Sequence, residues 1–383
     1  MDFDITWLLL GLPLAFVLGW IASRLDFRQL RIENRQAPKA YFKGLNFLLN
    51  EQQDQAIDAF IEAVQNDPDT SELHFALGNL FRRRGEYERA VRVHEHLLSR
   101  GDLGRVDRER AQHALALDFL KAGLLDRAED ALRKLEGTPF ETQARLALLA
   151  IYERSRDWAQ AADIANKLES AGQGAFGGRL AHYLCEQAQS KVTGGDTAAA
   201  LALLQEAART APQAPRPLIN LARLQQQLGD TPAALHTLQT LFNDAPHSVP
   251  LVAAQLAELG AASGHASQAL TLLQASYQQA PSLDVLDAIV QLEAAQFPDS
   301  ARDRYAQHLA LEPSLVAAAK WIAGEKMEHE QFHPQVQRAL DHAVKPLLRY
   351  RCAACGFEAK QHFWNCPGCQ AWDSYPPRRV EEL

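Results

Sequence analysis

The sequence predicts an all-α protein: a solenoid of short helical hairpins, with a membrane-crossing helix ahead of it and a small four-cysteine metal knuckle behind. Three observations carry this expectation. Prolines at positions 212, 246, 281 and 313 recur at intervals of 34, 35 and 32 residues. Residues 5–22 form an uncharged, largely apolar run of 18. Four of the five cysteines, Cys352, Cys355, Cys366 and Cys369, cluster near the carboxyl end.

A chain of 383 residues exceeds one ordinary hydrophobic core, so several domains or a repeat array is the starting expectation. Apolar residues make up 47% and charged residues 22%, which suits a folded soluble body and excludes wholesale disorder and a polytopic membrane protein. The net charge of -8 argues against a chain whose main work is neutralising phosphates, so no nucleic-acid partner is expected. Arg349, Arg351, Lys360, Arg378 and Arg379 could line a basic surface, but the acidic total outweighs them.

As a helix, residues 5–22 would be about 27 Å long, close to the roughly 30 Å hydrocarbon core. Trp7 and Trp20 sit near the two ends, where amphipathic rings favour the interface. Asp2 and Asp4 precede the run and no Lys or Arg does, so residues 1–22 read as a retained anchor and not as a cleaved signal. Arg24, Arg28, Arg31, Arg35, Lys39 and Lys43 follow, against Asp26 and Glu33, which puts the rest of the chain on the cytoplasmic side. Residues 23–39 are then a basic juxtamembrane segment suited to anionic lipid heads.

Residues 40–315 read as the repeat array. Gly44, Ala56, Phe60, Ala63 and Pro68 set a skeleton that Leu77-Gly78-x2-Phe81 and Gly85 to Ala90 repeat. This resembles the tetratricopeptide repeat, whose small residues let two helices cross closely and whose proline stops the second helix. Phe119, Gly123, Ala128 and Leu132 form a third unit, and Tyr152, Trp158 and Ala161 a fourth. The later units are marked by Ala200, Gly229 with Ala234, Gly264 with Ala269, and Ala301 with Tyr305. Between Ala171 and Gly195 the glycines 172, 174, 177 and 178 interrupt the pattern, and a bend or flexible seam is expected there. Stacked units leave a concave face that serves as a protein or peptide groove. On that face Phe75, Asn79, Arg82 and Arg83 share one helical side, and Asn220 and Arg223 repeat the argument later. No nucleophile with a neighbouring base and no phosphate-cradling loop is found, so the protein reads as a scaffold and not an enzyme. His113, His182, His236, His247 and His265 are scattered, and Cys185 reads as a small buried apolar residue.

Residues 316–350 read as terminal helices and 351–383 as the metal-binding domain. Two Cys-x2-Cys turns separated by ten residues offer four thiolates for one iron or zinc ion in a tetrahedral site. Disulfides conflict with the cytoplasmic side, and a thioredoxin-like role needs one such turn at a helix start. The pieces are similar to a rubredoxin knuckle, shortened between its two halves, which favours a structural metal. Phe357, Phe363, Trp364, Trp372 and Tyr375 exceed what so small a module can bury. It is therefore expected to dock on the last helices, around residues 315–322 and 336–348.

An anchor with trailing basic residues, a tetratricopeptide array and a rubredoxin-like end, in that order, resemble the lipopolysaccharide assembly protein B family of Gram-negative bacteria. The resemblance implies a single-pass inner-membrane adaptor. It implies as partners a membrane-bound AAA-type protease, the deacetylase at the committed step of lipid A synthesis, and an inner-membrane sensor protein. It leaves a homo-oligomer open. The alternative is a rubredoxin-linked redox protein whose metal exchanges electrons with a partner held by the repeats.

Overall fold

The computed structural model describes residues 16–20, 42–67, 69–294, 300–325 and 330–383. Of the expected anchor, residues 1–22, only 16–20 fall among them, and residues 23–39, the basic segment, lie outside them. Among the described residues no helix is long and apolar enough to cross a membrane. The chain forms two compact units, one ending at Ser155 and one beginning at Arg156.

The first unit is a run of helical hairpins. Residues 42–49 form α1, followed by α2 (Gln53–Asn66), α3 (Ser71–Arg83), α4 (Tyr87–Ser99), α5 (Arg105–Ala122), α6 (Leu125–Arg133) and α7 (Glu141–Ser155). Small residues set the crossings. A Cβ added to Gly44 would lie 2.8 Å from the Phe60 ring, and one added to Gly78 would lie 2.5 Å from the His94 imidazole. The close approach closes a core of Ala56, Phe60, Leu73, Leu77, Phe81 and Ala90. His94 and Asp118 are both fully buried and are bonded through His94 Nδ1. Arg82 Nη1 donates to Asp118 at 2.7 Å and to the Ala114 carbonyl at 3.1 Å, so the buried carboxylate is compensated by a half-buried cation.

In the second unit α8 (Trp158–Ser170) and α9 (Gly177–Thr193) are followed by α10 (Thr197–Thr210), α11 (Pro215–Gln227), α12 (Thr231–Asp244), α13 (Ala253–Ser263) and α14 (Ala266–Gln279). Then come α15 (Leu283–Ala294), α16 (Ser300–Leu311), α17 (Leu315–Ala323) and α18 (His333–Val344). Helices α10, α12, α14 and α16 each end two residues before Pro212, Pro246, Pro281 and Pro313, because the residue ahead of a proline is disfavoured from helical geometry. Between paired helices Gly229 and Gly264 hold φ of +79° and +76°, a conformation that costs other residues a steric penalty. Ala222, Ala234, Leu238, Leu256, Leu273 and Ile289 are among the residues of the main core.

Two local expectations are refined. The irregularity expected between Ala171 and Gly195 is confined to residues 171–176. From Gly177 onward α9 is regular, since Leu180, Ala181, Tyr183, Cys185 and Ala188 are buried at helical spacing. Beyond Pro246 the chain runs as a 3-10 turn, Pro246–Leu251, before α13 begins. Pro250 inside that turn has no amide hydrogen to donate.

The helix crossings give a direct test. Gly78→Ala should lower stability by about 1–2 kcal/mol, the overpacking cost exceeding the gain in helix propensity. Gly101→Ala meets nothing within 4 Å and should be near neutral. Urea unfolding of both variants checks this, and equal midpoints would show that the crossing is not tight.

Candidate metal centre and its docking face

Tyr350–Arg351 pairs antiparallel with Glu358–Ala359, Tyr350 opposite Ala359 and Arg351 opposite Glu358. The hairpin delivers Cys352 and Cys355 from one turn, and the chain returns to supply Cys366 and Cys369 from a second. The four sulfurs all lie within 4.8 Å of one another. Cys352 Sγ is 3.8 Å from Cys369 Sγ, and Cys355 Sγ is 3.7 Å from Cys366 Sγ. Metal–sulfur bonds of about 2.3 Å in a tetrahedron place sulfurs about 3.8 Å apart, so the residues present fit one metal ion. Burial opposes ionisation of Cys352. The Ser374 hydroxyl and the backbone amides of Cys355 and Ala354 outweigh it and bring the thiol down to about 6. Cys352 and Cys366 are buried, whereas Cys355 and Cys369 face solvent. A bound metal would supply the charge that lets all four sulfurs ionise, cross-linking the two turns.

The knuckle is docked on the second unit. Its own core is Tyr350, Cys352, Cys366 and Tyr375, with Leu251 of the repeat array packed against it, and Trp364 packs against the main core. Asp373 sits in the left-handed region at φ +51°, a strained setting for a residue other than glycine, and its carboxylate lies 2.8 and 2.9 Å from His182 Nε2. Arg216 Nη1 is 3.3 Å from His182 Nδ1, so that nitrogen accepts and Nε2 carries the proton donated to Asp373. The Trp372 ring stacks on His182 at 4.7 Å and meets Trp158 and Tyr183 edge-on.

The end of the chain closes the far side of the contact. Arg379 binds Asp284 through two nitrogens at 2.8 and 2.9 Å and donates to the Leu348 carbonyl at 2.7 Å. Glu381 accepts from the amides of Leu315 and Val316 at 2.6 and 3.1 Å and from the Ser314 hydroxyl at 2.8 Å. Glu382 accepts from the Leu283 amide at 2.7 Å. Two consecutive carboxylates thus cap the amino ends of α15 and α17, where unpaired amides and the helix dipole favour negative charge. The docking expected on the last helices is therefore present at α17 and Leu347–Arg349, and it also reaches α8, α9, α11 and α15.

The other residues expected to meet a partner are placed as follows. Phe75 is corrected: it is 1% exposed, packed with Leu97, Leu103 and Ala111 and covered by the Arg110 guanidinium at 4.1 Å. The pattern put it on the shared face, but its size drew it into the helix interface. Arg82 is engaged with Asp118, and Asn79 is bonded to Arg82. Arg83 is exposed. Asn220 and Arg223 line one small pocket together. Cys185 is fully buried, and burial pushes its thiol up to about 12. The contacts made by His182, Asp284 and the two glutamates had no local signal, because their partners lie 65 to 191 residues away, and Arg216 reaches His182 across 34 residues.

Metal and docking should be lost together. A Cys366→Ser chain should release the metal and speed amide exchange at Leu283, Leu315 and Val316 by about tenfold or more, as those amides lose their capping carboxylates. Unchanged exchange at these three positions in metal-free protein would make the knuckle an independent appendage.

Comparison with known proteins agrees with this arrangement. A rubredoxin metal binding domain model matches residues 350–376, and tetratricopeptide repeat models match residues 73–109 and 192–259. The chain is 30% identical over 380 residues to lipopolysaccharide assembly protein B of Escherichia coli strain K12, covering 97% of this chain and 98% of the relative. It is 28% identical over 392 residues to the protein of the same name from Haemophilus influenzae, covering 98% of each. Aligned from end to end with these relatives and carrying both the repeats and the metal domain, the chain belongs to the lipopolysaccharide assembly protein B family.

Proposed function

We propose that this protein is a non-enzymatic, inner-membrane-tethered adaptor in lipopolysaccharide assembly. It promotes protease-dependent turnover of the deacetylase that commits precursor to lipid A. The observation that carries the reading is the end-to-end relationship to proteins named for lipopolysaccharide assembly. The fold supports it: a repeat array presents successive helix faces to other proteins, and the metal knuckle is fixed to that array as part of its frame.

Tethering by residues 1–22 would raise the local concentration of the soluble part beside membrane partners, a membrane-bound AAA-type protease and an inner-membrane sensor among them. The protease and sensor enter through the family resemblance, and the positive residues of the 23–39 segment support the cytoplasmic side for the repeats. In this reading the metal is structural, since its ligand shell is built into the docking contact. A redox role is the second reading, favoured by the solvent-facing Cys355 and Cys369. Zinc in protein purified from its own host excludes it.

Depleting the chain in its host should raise deacetylase abundance several-fold and increase lipopolysaccharide. Re-expression of the full chain should reverse both changes, and a chain lacking residues 1–22 should not. Quantitative immunoblotting of the deacetylase decides the matter: a level unmoved by depletion overturns the turnover reading, and full rescue by the unanchored chain overturns the tether.

A further inference from the structure

The docked knuckle shows how one row of the second unit reads a peptide. His182 on α9 takes the Asp373 carboxylate while its ring takes Trp372, and Arg216 on α11 stands 6.0 Å from that indole. The row therefore accepts an acidic residue beside an apolar one, supplied by the chain itself. One and two turns further along the same helices stands a second row of the same kind. Residues three and four apart share a helical face, so His182 is followed by Cys185 and Gln189, and Arg216 by Asn220 and Arg223.

This second row is not covered by the knuckle. It forms a pocket of about 70 Å³ between α9, α10 and α11. The floor is apolar, made by Val192, Leu204 and Leu224, and the rim is polar, made by Gln189, Asn220, Arg223 and Gln227. The charges differ from those of the first row. Glu186 is already held by Arg216 at 2.6 Å, whereas among the described residues Arg223 forms no ion pair and is exposed at the rim. An uncompensated guanidinium over a small apolar floor suits a carboxylate next to a short aliphatic side chain, with the amides of Gln189 and Gln227 available to an extended backbone and Asn220 set against the Cys185 thiol.

We propose that Gln189, Asn220, Arg223 and Gln227 form a subsite for an extended segment of a partner protein carrying an acidic residue next to a small aliphatic one. Arg223 receives the carboxylate, and Val192, Leu204 and Leu224 receive the aliphatic side chain. The inference rests on the adaptor reading for its partner, but the chemistry of the pocket can be measured alone.

The probe is a fluorescein-labelled octapeptide with a central Glu-Val in a Gly-Ser background, titrated against the full chain in detergent micelles by fluorescence polarisation. Matched peptides carry Gln-Val or Lys-Val. The Glu-Val peptide should bind a few-fold, up to about fivefold, more tightly than the other two, the size of effect that an ion pair at a solvent-exposed rim supplies. Arg223→Glu should transfer the preference to the Lys-Val peptide, and Asn220→Ala should weaken binding without changing the preference. Arg223 is exposed, so its variant should melt as wild type does. Indistinguishable titrations for the three peptides, or for wild type and the Arg223 variant, overturn the proposal. A chain that fails these titrations yet restores deacetylase turnover in depleted cells overturns the subsite and leaves the adaptor reading standing.

Discussion

Four cysteine sulfurs held within 4.8 Å of one another repel if they ionise together, and a cation among them removes that conflict. Much of the second unit depends on this constraint. The second of the two turns that converge on the sulfurs is flanked by Trp364, Trp372 and Asp373, which meet the repeats. A domain of this size has little core of its own. Its apolar and charged groups are therefore packed against the helices beneath it.

The chain end extends this coupling. Capping of helices is ordinarily local, a side chain bonding amides two or three residues on, and α17 has such a cap in Ser314, which accepts from Ala317 at 2.9 Å. Glu381 and Glu382 add caps from more than sixty residues away. Carboxylates at helix amino ends are favoured by the unpaired amides and the helix dipole, and here they join the final repeats to the metal domain. Arg379 supports the same contact: it lies over the Tyr350 ring at 4.2 Å while bridging to Asp284.

The first unit spends its polar side chains differently. Arg82 is turned inward to Asp118, Asn79 accepts from Arg82, and Arg110 covers Phe75. A buried carboxylate left without a cation is costly, so these side chains are committed to the fold. In the second unit the polar side chains at the rim of the α9–α11 pocket are exposed or half-buried, and Arg223 keeps its charge available. Helical spacing alone makes the two groups look alike; their surroundings separate them.

The sequence by itself determined the helical hairpins, their stops and the metal ligands. Those features are local: proline forbids helix two residues after each stop, small residues recur where helices cross, and two Cys-x2-Cys turns bring thiolates together over a short loop. The surplus of aromatic residues also announced that the metal domain must be covered. Only the tertiary structure decided what covers it. His182 and Asp373, Asp284 and Arg379, and the capping glutamates pair across 65 to 191 residues, and no periodicity encodes a contact at that separation. The same is true of Phe75, whose position on a helical face was legible but whose burial depended on α4 and α5 packing around it.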